Sequence, residues 1–343
     1  MPPLLDWDHG RVEMSHGGGG RAMARLLAAL FLPAFDNPAL RQGNDQAQLP
    51  LPTGGRLALS CDAHVVTPLI FPGGDIGSLA IHGSINDVAM AGADPLWIAA
   101  SFILEEGLPL SILRRIVLSM GQAAKAAGVP VVTGDTKVVE RGKADGMFIS
   151  TTAVGVVPEG VHLSGDGMRP GDRLLLSGSI GDHGVAVLSC REGLGFETAI
   201  VSDSAPLHTL TAAMVRAVPQ GLRCLRDPTR GGLASTLHEL AAQSGVALRL
   251  REEAIPLRPE VSGACELLGL DPLYIANEGK LIACCAPEHA EELLAVMRRH
   301  PLGRQAAIIG EVLKGAPGVR MVTRTGGERL VDWLTGEQTP RIC

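Results

Sequence analysis

Val129-Pro130-Val131-Val132-Thr133-Gly134-Asp135-Thr136-Lys137 sets the reading of this chain. Residues 129–133 have the apolar, β-branched make-up of a buried strand. The strand is expected to stop on a glycine, a carboxylate, a hydroxyl and an ammonium, and strand ends commonly present ligand groups. An ordinary turn has the same composition, and the residues alone leave both open. Working outward, 96–104 reads as a strand, 109–127 as a helix and 147–157 as a long strand closing the first half, with Pro158-Glu159-Gly160 starting a polar link. Toward the N-terminus, residues 1–14 read as an arm. Then His16-Gly17-Gly18-Gly19-Gly20 precedes a helix from about Arg21, where free backbone N–H groups suit either an anion or a hinge. Residues 57–62 read as a buried strand ending at Asp62. Asp75 caps the next helix, in which Asn86-Asp87 sit mid-way, a position usually solvated.

The second half starts afresh after Pro170-Gly171-Asp172, with strands at 173–177, 246–250, 281–285 and 306–313 and helices at 205–218, 233–244, 261–268 and 287–299. Residues 178–184 turn into a further helix. The loop Arg226-Asp227-Pro228-Thr229-Arg230-Gly231-Gly232 opens the helix at 233, and its Asp227 suits a cap or a metal. Past Val322 the pattern loses period, and the chain ends Thr339-Pro340-Arg341-Ile342-Cys343. A thiol with a pKa of about 8.5 is only a few per cent ionised at neutral pH. The adjacent terminal carboxylate lowers that fraction and Arg341 partly offsets it, so the thiol suits loading by another protein better than unaided attack. Eight extended residues reach at most about 29 Å, enough to carry Cys343 into a cleft. A frayed terminus is the plain alternative. A prenylation box fails, because its cysteine stands four residues from the end.

The 343 residues suggest two domains, and 46% apolar with 19% charged residues excludes disorder. A net charge of -6 without a basic, aromatic-interleaved block argues against nucleic acid. Seven cysteines without a C-x-x-C pair argue against a disulfide framework and a zinc knuckle, and Cys284-Cys285 read as core. The apolar run 22–35 is too short for a membrane span and is broken by Arg25 and Pro33. With Asp6, Asp8 and Glu13 ahead of it, no signal peptide is expected and the cytoplasm is the expected compartment.

Together, Asp45, Asp62, Asp87, Asp135 and Asp227, a glycine loop and Lys137 form a kit for a metal-bound triphosphate. No G-x-x-x-x-G-K-[ST] occurs, so the site is not of Walker type. Five stretches in order, Phe71-Pro72-Gly73-Gly74-Asp75-Ile76-Gly77, Phe102-Ile103-Leu104-Glu105-Glu106-Gly107, Thr133-Gly134-Asp135-Thr136-Lys137-Val138-Val139, Asn277-Glu278-Gly279-Lys280 and Pro340-Arg341-Ile342-Cys343, give the chain its resemblance. From His16 to Cys343 it resembles the HypE family of hydrogenase maturation factors. That family lies in the PurM-like ATP-binding superfamily with aminoimidazole ribonucleotide synthetase, selenophosphate synthetase and thiamine monophosphate kinase.

The resemblance implies an α+β, two-domain PurM-like fold. An ATP-binding and dimerisation domain would occupy 1–157, a second PurM-like domain 158–333 and a flexible tail 334–343, with the first domains of a homodimer pairing into a β-barrel. It implies ATP and Mg2+, with nucleotide contacts from Gly17, Gly19, Gly20, Asp45, Asp62, Asp87, Gly134, Asp135 and Thr136 and metal contacts from Asp45, Asp62, Asp87 and Asp227. It also implies that Cys343, carbamoylated by HypF, is dehydrated to a thiocyanate whose cyanide passes to HypC-HypD for the iron of [NiFe] hydrogenase. Glu278 would be the base, and Lys137 a base or a cation.

Two positions depart from the family. Ser60-Cys61-Asp62-Ala63 replaces the usual Ser-Thr-Asp-Ser, and Gly18 stands where serine is common. Selenophosphate synthetase, the nearest enzyme rival, places its reactive residue near the N-terminus, and this chain has no cysteine before Cys61. A carrier or scaffold in which ATP only orders the tail stays open.

Overall fold

The structure, a computed structural model, describes residues 5–44, 46–50, 52–191, 200–334 and 341–343. A 3-10 turn at Met14–Gly17 leads into α1 (Arg21–Leu26), a π turn (Leu27–Phe31) and α2 (Leu32–Ala34). There follow β1 (Arg56–His64), a two-residue hairpin of β2 (Ile70–Phe71) and β3 (Gly74–Asp75), α3 (Ile76–Met90), β4 (Asp94–Glu105), α4 (Leu110–Ala127), β5 (Val131–Val139) and β6 (Met147–Val157). The first sheet has the order β1-β6-β4-β5, and only β4 and β5 are parallel, joined by the crossover helix α4.

After the link come β7 (Arg173–Leu176), α5 (Asp182–Arg191), α6 (His208–Ala217), β8 (Leu222–Arg226), α7 (Gly232–Ser244), β9 (Ala247–Arg251) and α8 (Pro259–Leu268). The chain continues through β10 (Ile282–Cys285), α9 (Ala290–Arg299), β11 (Ala307–Leu313), β12 (Gly318–Val322) and β13 (Glu328–Val331). These strands form one sheet in the order β13-β12-β9-β11-β7-β10-β8. It is apolar on both faces because both are covered. Leu174, Leu176 and Cys284 pack on the α7 side, and Leu175, Ala283 and Cys285 pack against α6 and α9. That double cover is why 174–176 and 281–285 read as unbroken apolar runs.

Four expectations need correcting. β5 does not stop at Gly134, since its backbone stays paired with β4 as far as Val139. β1 likewise runs past Asp62 to His64 and is buried on one face only, with Leu57 and Leu59 64% and 70% exposed. Past Val322 the chain still makes β13, paired with β12. The N-terminal arm is anchored: Val12 is buried, and Arg11 bridges Pro109. The first sheet of one chain is open, with β1 and β5 as its edges, so no barrel closes within a single subunit.

Candidate functional site

Helix α3 is the element that brings the two halves together. Asp75 caps it, its carboxylate accepting from the backbone N–H of Gly77 (2.9 Å) and Ser78 (3.0 Å). The helix lies between the first sheet, α4 and the second half, so it is buried nearly all round. Asp87 is therefore not the solvated mid-helix carboxylate the sequence suggests. Ser60 Oγ donates to its Oδ2 at 2.5 Å. Beside it, Asn86 donates from Nδ2 to the carbonyls of Ala205 (3.1 Å) and Glu278 (3.3 Å) and accepts from Leu207 N–H at 2.7 Å. One buried amide thus ties the Asn277-Glu278-Gly279-Lys280 turn to α3.

That turn is fixed from several sides. Asn277 accepts from Gly181 N–H (2.8 Å) and donates to the carbonyls of Pro228 and Ile275 (both 3.0 Å). Asp203 accepts from the N–H of Glu278 and Gly279 and pairs with Lys280 Nζ at 2.9 Å. A Cβ on Gly279 would stand 1.8 Å from the Asp203 carbonyl, so the close approach requires glycine. With its backbone held, Glu278 turns a buried carboxyl inward, and its Oε1 has no partner.

Burial, then the charges of Asp227, Asp203, Asp62 and Asp87, raise the Glu278 pKa well above the usual carboxylate range. Burial and the neighbouring Asp87 push Asp227 up to about 7. Burial also raises Asp87, against the opposing pull of the Ser60 hydrogen bond and of Arg230 and Arg226. His64 sits 3.5 Å from Asp62 and 3.1 Å from Thr151 Oγ1, and burial lowers its pKa against the opposing pull of Asp62. Asp62, Asp87, Asp227 and Glu278 therefore form a chamber that resists holding all its negative charges at once.

The end of the chain lies in that chamber. Cys343 and Arg341 lend carbonyl oxygens to the N–H groups of Val65 (3.1 Å) and Thr67 (3.2 Å), Ile342 is 3% exposed, and Arg341 turns through a left-handed φ of 52°. Burial, then Glu278, push the Cys343 thiol pKa far up; Asp62 and Asp227 add to the rise and Arg230 opposes it. The expected offset from Arg341 is corrected: its guanidinium pairs instead with Asp145 Oδ2 at 2.5 Å. Residues 341–343 are docked against their own chain, while 335–340 lie outside the described residues.

The other site residues lie elsewhere. Gly17 packs so tightly on β5 that a Cβ would stand 2.5 Å from Val138 N, whereas nothing lies within 4 Å of a Cβ on Gly19 or Gly20; further along β5 come Gly134, Asp135 and Thr136. These last three residues, with Phe31, Phe35 and Phe102, line a cavity of about 290 Å³. Thr136 turns inward with Phe102, whereas Asp135 and Lys137, 3.7 Å apart, point from the opposite face. A single subunit does not bring Lys137 to Cys343. Asp45 lies outside the described residues, and among those described no three His, Cys, Asp or Glu side chains converge on a metal-sized point.

The sequence reading chose none of Asn86, His183, Asp203 and Arg230 as site residues, although Asn86 and Arg230 stand in stretches it named. Only Asp203, in the Ser202-Asp203-Ser204 loop, carried a local signal, that of a turn former.

Comparison with known proteins follows the same layout. Residues 43–157 and 169–322 match the N-terminal and C-terminal domains of AIR synthase related proteins. A carbamoyl dehydratase HypE from Cupriavidus necator is 65% identical over 340 residues, 99% of this chain and 97% of that protein. The chain belongs to the HypE family of carbamoyl dehydratases. A crystal structure of the hydrogenase maturation protein HypE in complex with ATP superposes with a TM-score of 0.93 at 52% identity, covering 96% of this chain and 99% of that one. HypE in a HypE-HypF complex superposes with a TM-score of 0.79 at 46% identity, covering 90% and 99%. The HypE fold is thus a mixed α/β, two-domain, PurM-like one, built here on the two sheets described above.

Proposed function

We propose that this protein is an ATP-dependent dehydratase acting on an S-carbamoyl group carried by its own Cys343, which it converts to a thiocyanate. The observation that carries this reading is the docking of the chain's last residues on their own subunit, Cys343 on Val65 and Ile342 on His183, where the thiol feels the charges of Glu278, Asp62 and Asp227. HypF would load the carbamoyl group and the HypC-HypD complex would take the cyanide for the iron of [NiFe] hydrogenase. The HypE-HypF complex of relatives supports the first partner.

The carbonyl oxygen of a thiocarbamate is a poor leaving group. Moving the γ-phosphoryl of ATP onto it turns it into a phosphate, and loss of two nitrogen protons with that phosphate leaves S–C≡N, a net loss of one water. Glu278, desolvated and electrostatically coupled to Cys343, would take a nitrogen proton, and its raised pKa makes the carboxylate, once it has lost its own proton, a stronger base. Gly17, Gly19, Gly20, Gly134, Asp135 and Thr136 would hold nucleotide along β5, with the aromatic cavity suited to the base and ATP binding by a close relative in support. Lys137 lies on the sheet face turned from Cys343, which favours a cation beside phosphate over a base within the same subunit.

Magnesium takes one or two carboxylates with phosphate oxygens rather than an all-protein cage. Asp62, Asp87 and Asp227 suit it in that way, since a cation there relieves their mutual repulsion, and Asp45 stays a candidate from the sequence. When bound it would neutralise charge on the transferring phosphoryl group. No helix among the described residues is long and apolar enough to cross a membrane, and we place the reaction in the cytoplasm.

The test is the mass of the tail peptide after carbamoylation by HypF. With ATP it should fall by one water, and Cys343→Ala should keep its fold and nucleotide affinity yet yield no nitrile. A loaded tail that keeps its full mass with ATP would leave a carrier, not an enzyme.

A further inference from the structure

We propose that His183 is a positioning residue, a latch that holds the penultimate carbonyl of the tail so that Cys343 stays in its own subunit's carboxylate chamber. Its ring is fully buried in α5 between two partners, Ser202 Oγ at 2.7 Å from Nδ1 and the Ile342 carbonyl at 2.7 Å from Nε2. A carbonyl oxygen only accepts, so Nε2 carries the proton. In the neutral ring Nδ1 then accepts from the Ser202 hydroxyl, whose oxygen in turn accepts from Ser204 N–H at 3.1 Å. The Ile342 carbonyl thereby selects the tautomer, and the serine satisfies the Nδ1 that this tautomer leaves as an acceptor. Phe71 meets the ring edge-on at a centroid distance of 5.4 Å and fixes its plane.

The rest of the grip is consistent with a reversible hold. Val65 and Thr67 lend backbone donors, and Arg191 donates to the carbonyls of Thr67 and Arg341. Outside these, Asp145 pairs with the exposed Arg341 and accepts from Thr67 Oγ1 at 2.9 Å. Val65, Thr67, Phe71 and Asp145 belong to the first half, His183, Arg191 and Ser202 to the second. The latch therefore closes only where the two halves meet, beside the Glu278 turn. These hydrogen bonds, the charge-assisted ones from Arg191 among them, and the exposed Arg341–Asp145 pair are weak enough to let the tail leave for a partner, yet directional enough to fix a tethered group for reaction.

The purpose of the latch rests on the dehydratase reading; its geometry does not. The test uses the full-length chain and iodoacetamide, with alkylation of Cys343 followed on the C-terminal peptide so that the exposed Cys61 and Cys190 do not interfere. His183→Phe keeps the ring and its contact with Phe71 but removes the donor, and should raise the alkylation rate of Cys343 about fivefold. His183→Gln, whose amide N–H reaches toward the place of Nε2, should restore part of the protection. With a carbamoylated tail, His183→Phe should slow the loss of water at saturating ATP without changing nucleotide affinity.

A folded His183→Phe protein that protects Cys343 as well as wild type overturns the latch. If that variant does not fold, Ser202→Ala decides in its place, since it removes the partner that holds Nδ1 and orients the ring: faster alkylation supports the latch and an unchanged rate overturns it. Carbamoylated wild type that keeps its water sinks the dehydratase reading instead and leaves the protection data standing.

Discussion

At the scale of single residues, Glu278 and His82 show what burial does to a titratable group. The unpartnered Oε1 of Glu278 faces other carboxylates, an arrangement costly for a merely structural residue and useful for a base. Glu278→Gln keeps the shape and removes the proton acceptor. Carbamoylation of Cys343 should proceed while water loss slows by about 10² or more, read from quenched time points of the tail mass. Normal dehydration in that variant removes Glu278 from the role.

His82 pairs with Ser204 Oγ at 2.9 Å, and burial, aided by His208, lowers its pKa to about 4. The group is neutral when folded and free to charge when unfolded. Its contribution to stability is complete above the unfolded value of 6.5 and is lost as pH falls toward 4, a change on the order of 3 kcal/mol. The melting temperature should decline between about pH 7 and 5, and His82→Gln should flatten that decline. Equal slopes in the two proteins count against His82 as its source.

At the scale of elements, α3 joins the carboxylates around Asp87 to the second half. Its Asn86 satisfies backbone groups of Ala205, Leu207 and Glu278 at once. Asn86→Leu fills similar volume but leaves the Leu207 N–H unpaired in the interior. A loss of about 2–4 kcal/mol in urea unfolding is expected, with slower dehydration because the Glu278 turn is no longer fixed. Wild-type stability would mean that water takes over the role of the amide. In the same way the sheet, not the motif, decides what Thr133-Gly134-Asp135-Thr136-Lys137 can do. Continued pairing of β5 with β4 forces alternate residues to opposite faces, and Thr136 turns in while Asp135 and Lys137 turn out.

At the scale of the whole molecule, the outer face of the first sheet carries Leu57, Leu59 and Ile103, at 64%, 70% and 40% exposure, together with Cys61. An apolar sheet face of this kind asks for a partner, and a second copy presenting the same face fits the homodimer the resemblance implies. Light scattering should give twice 35.8 kDa for wild type and a single chain mass for Leu59→Glu. A variant that stays paired places the dimer contact elsewhere.

The sequence by itself determined most of the helices and strands, the five motifs in order and the terminal thiol, because these are written in periodicity and in neighbouring residues. It also marked Asp62, Asp87, Asp227 and Glu278 one by one. What only the tertiary structure decided is which of them meet. Periodicity tells that a strand or helix has two faces, not what covers each, so the buried reading of Leu57 and Leu59 failed, and nothing in the helix pattern set Asp87 apart from an ordinary solvated carboxylate. Asn86 and Glu278 stand 192 positions apart, and His183 and Ile342 stand 159 apart. Contacts of that span have no local signature. They exist because the two halves of the chain close on α3 and leave, between them, a place where the last residue of the chain can sit.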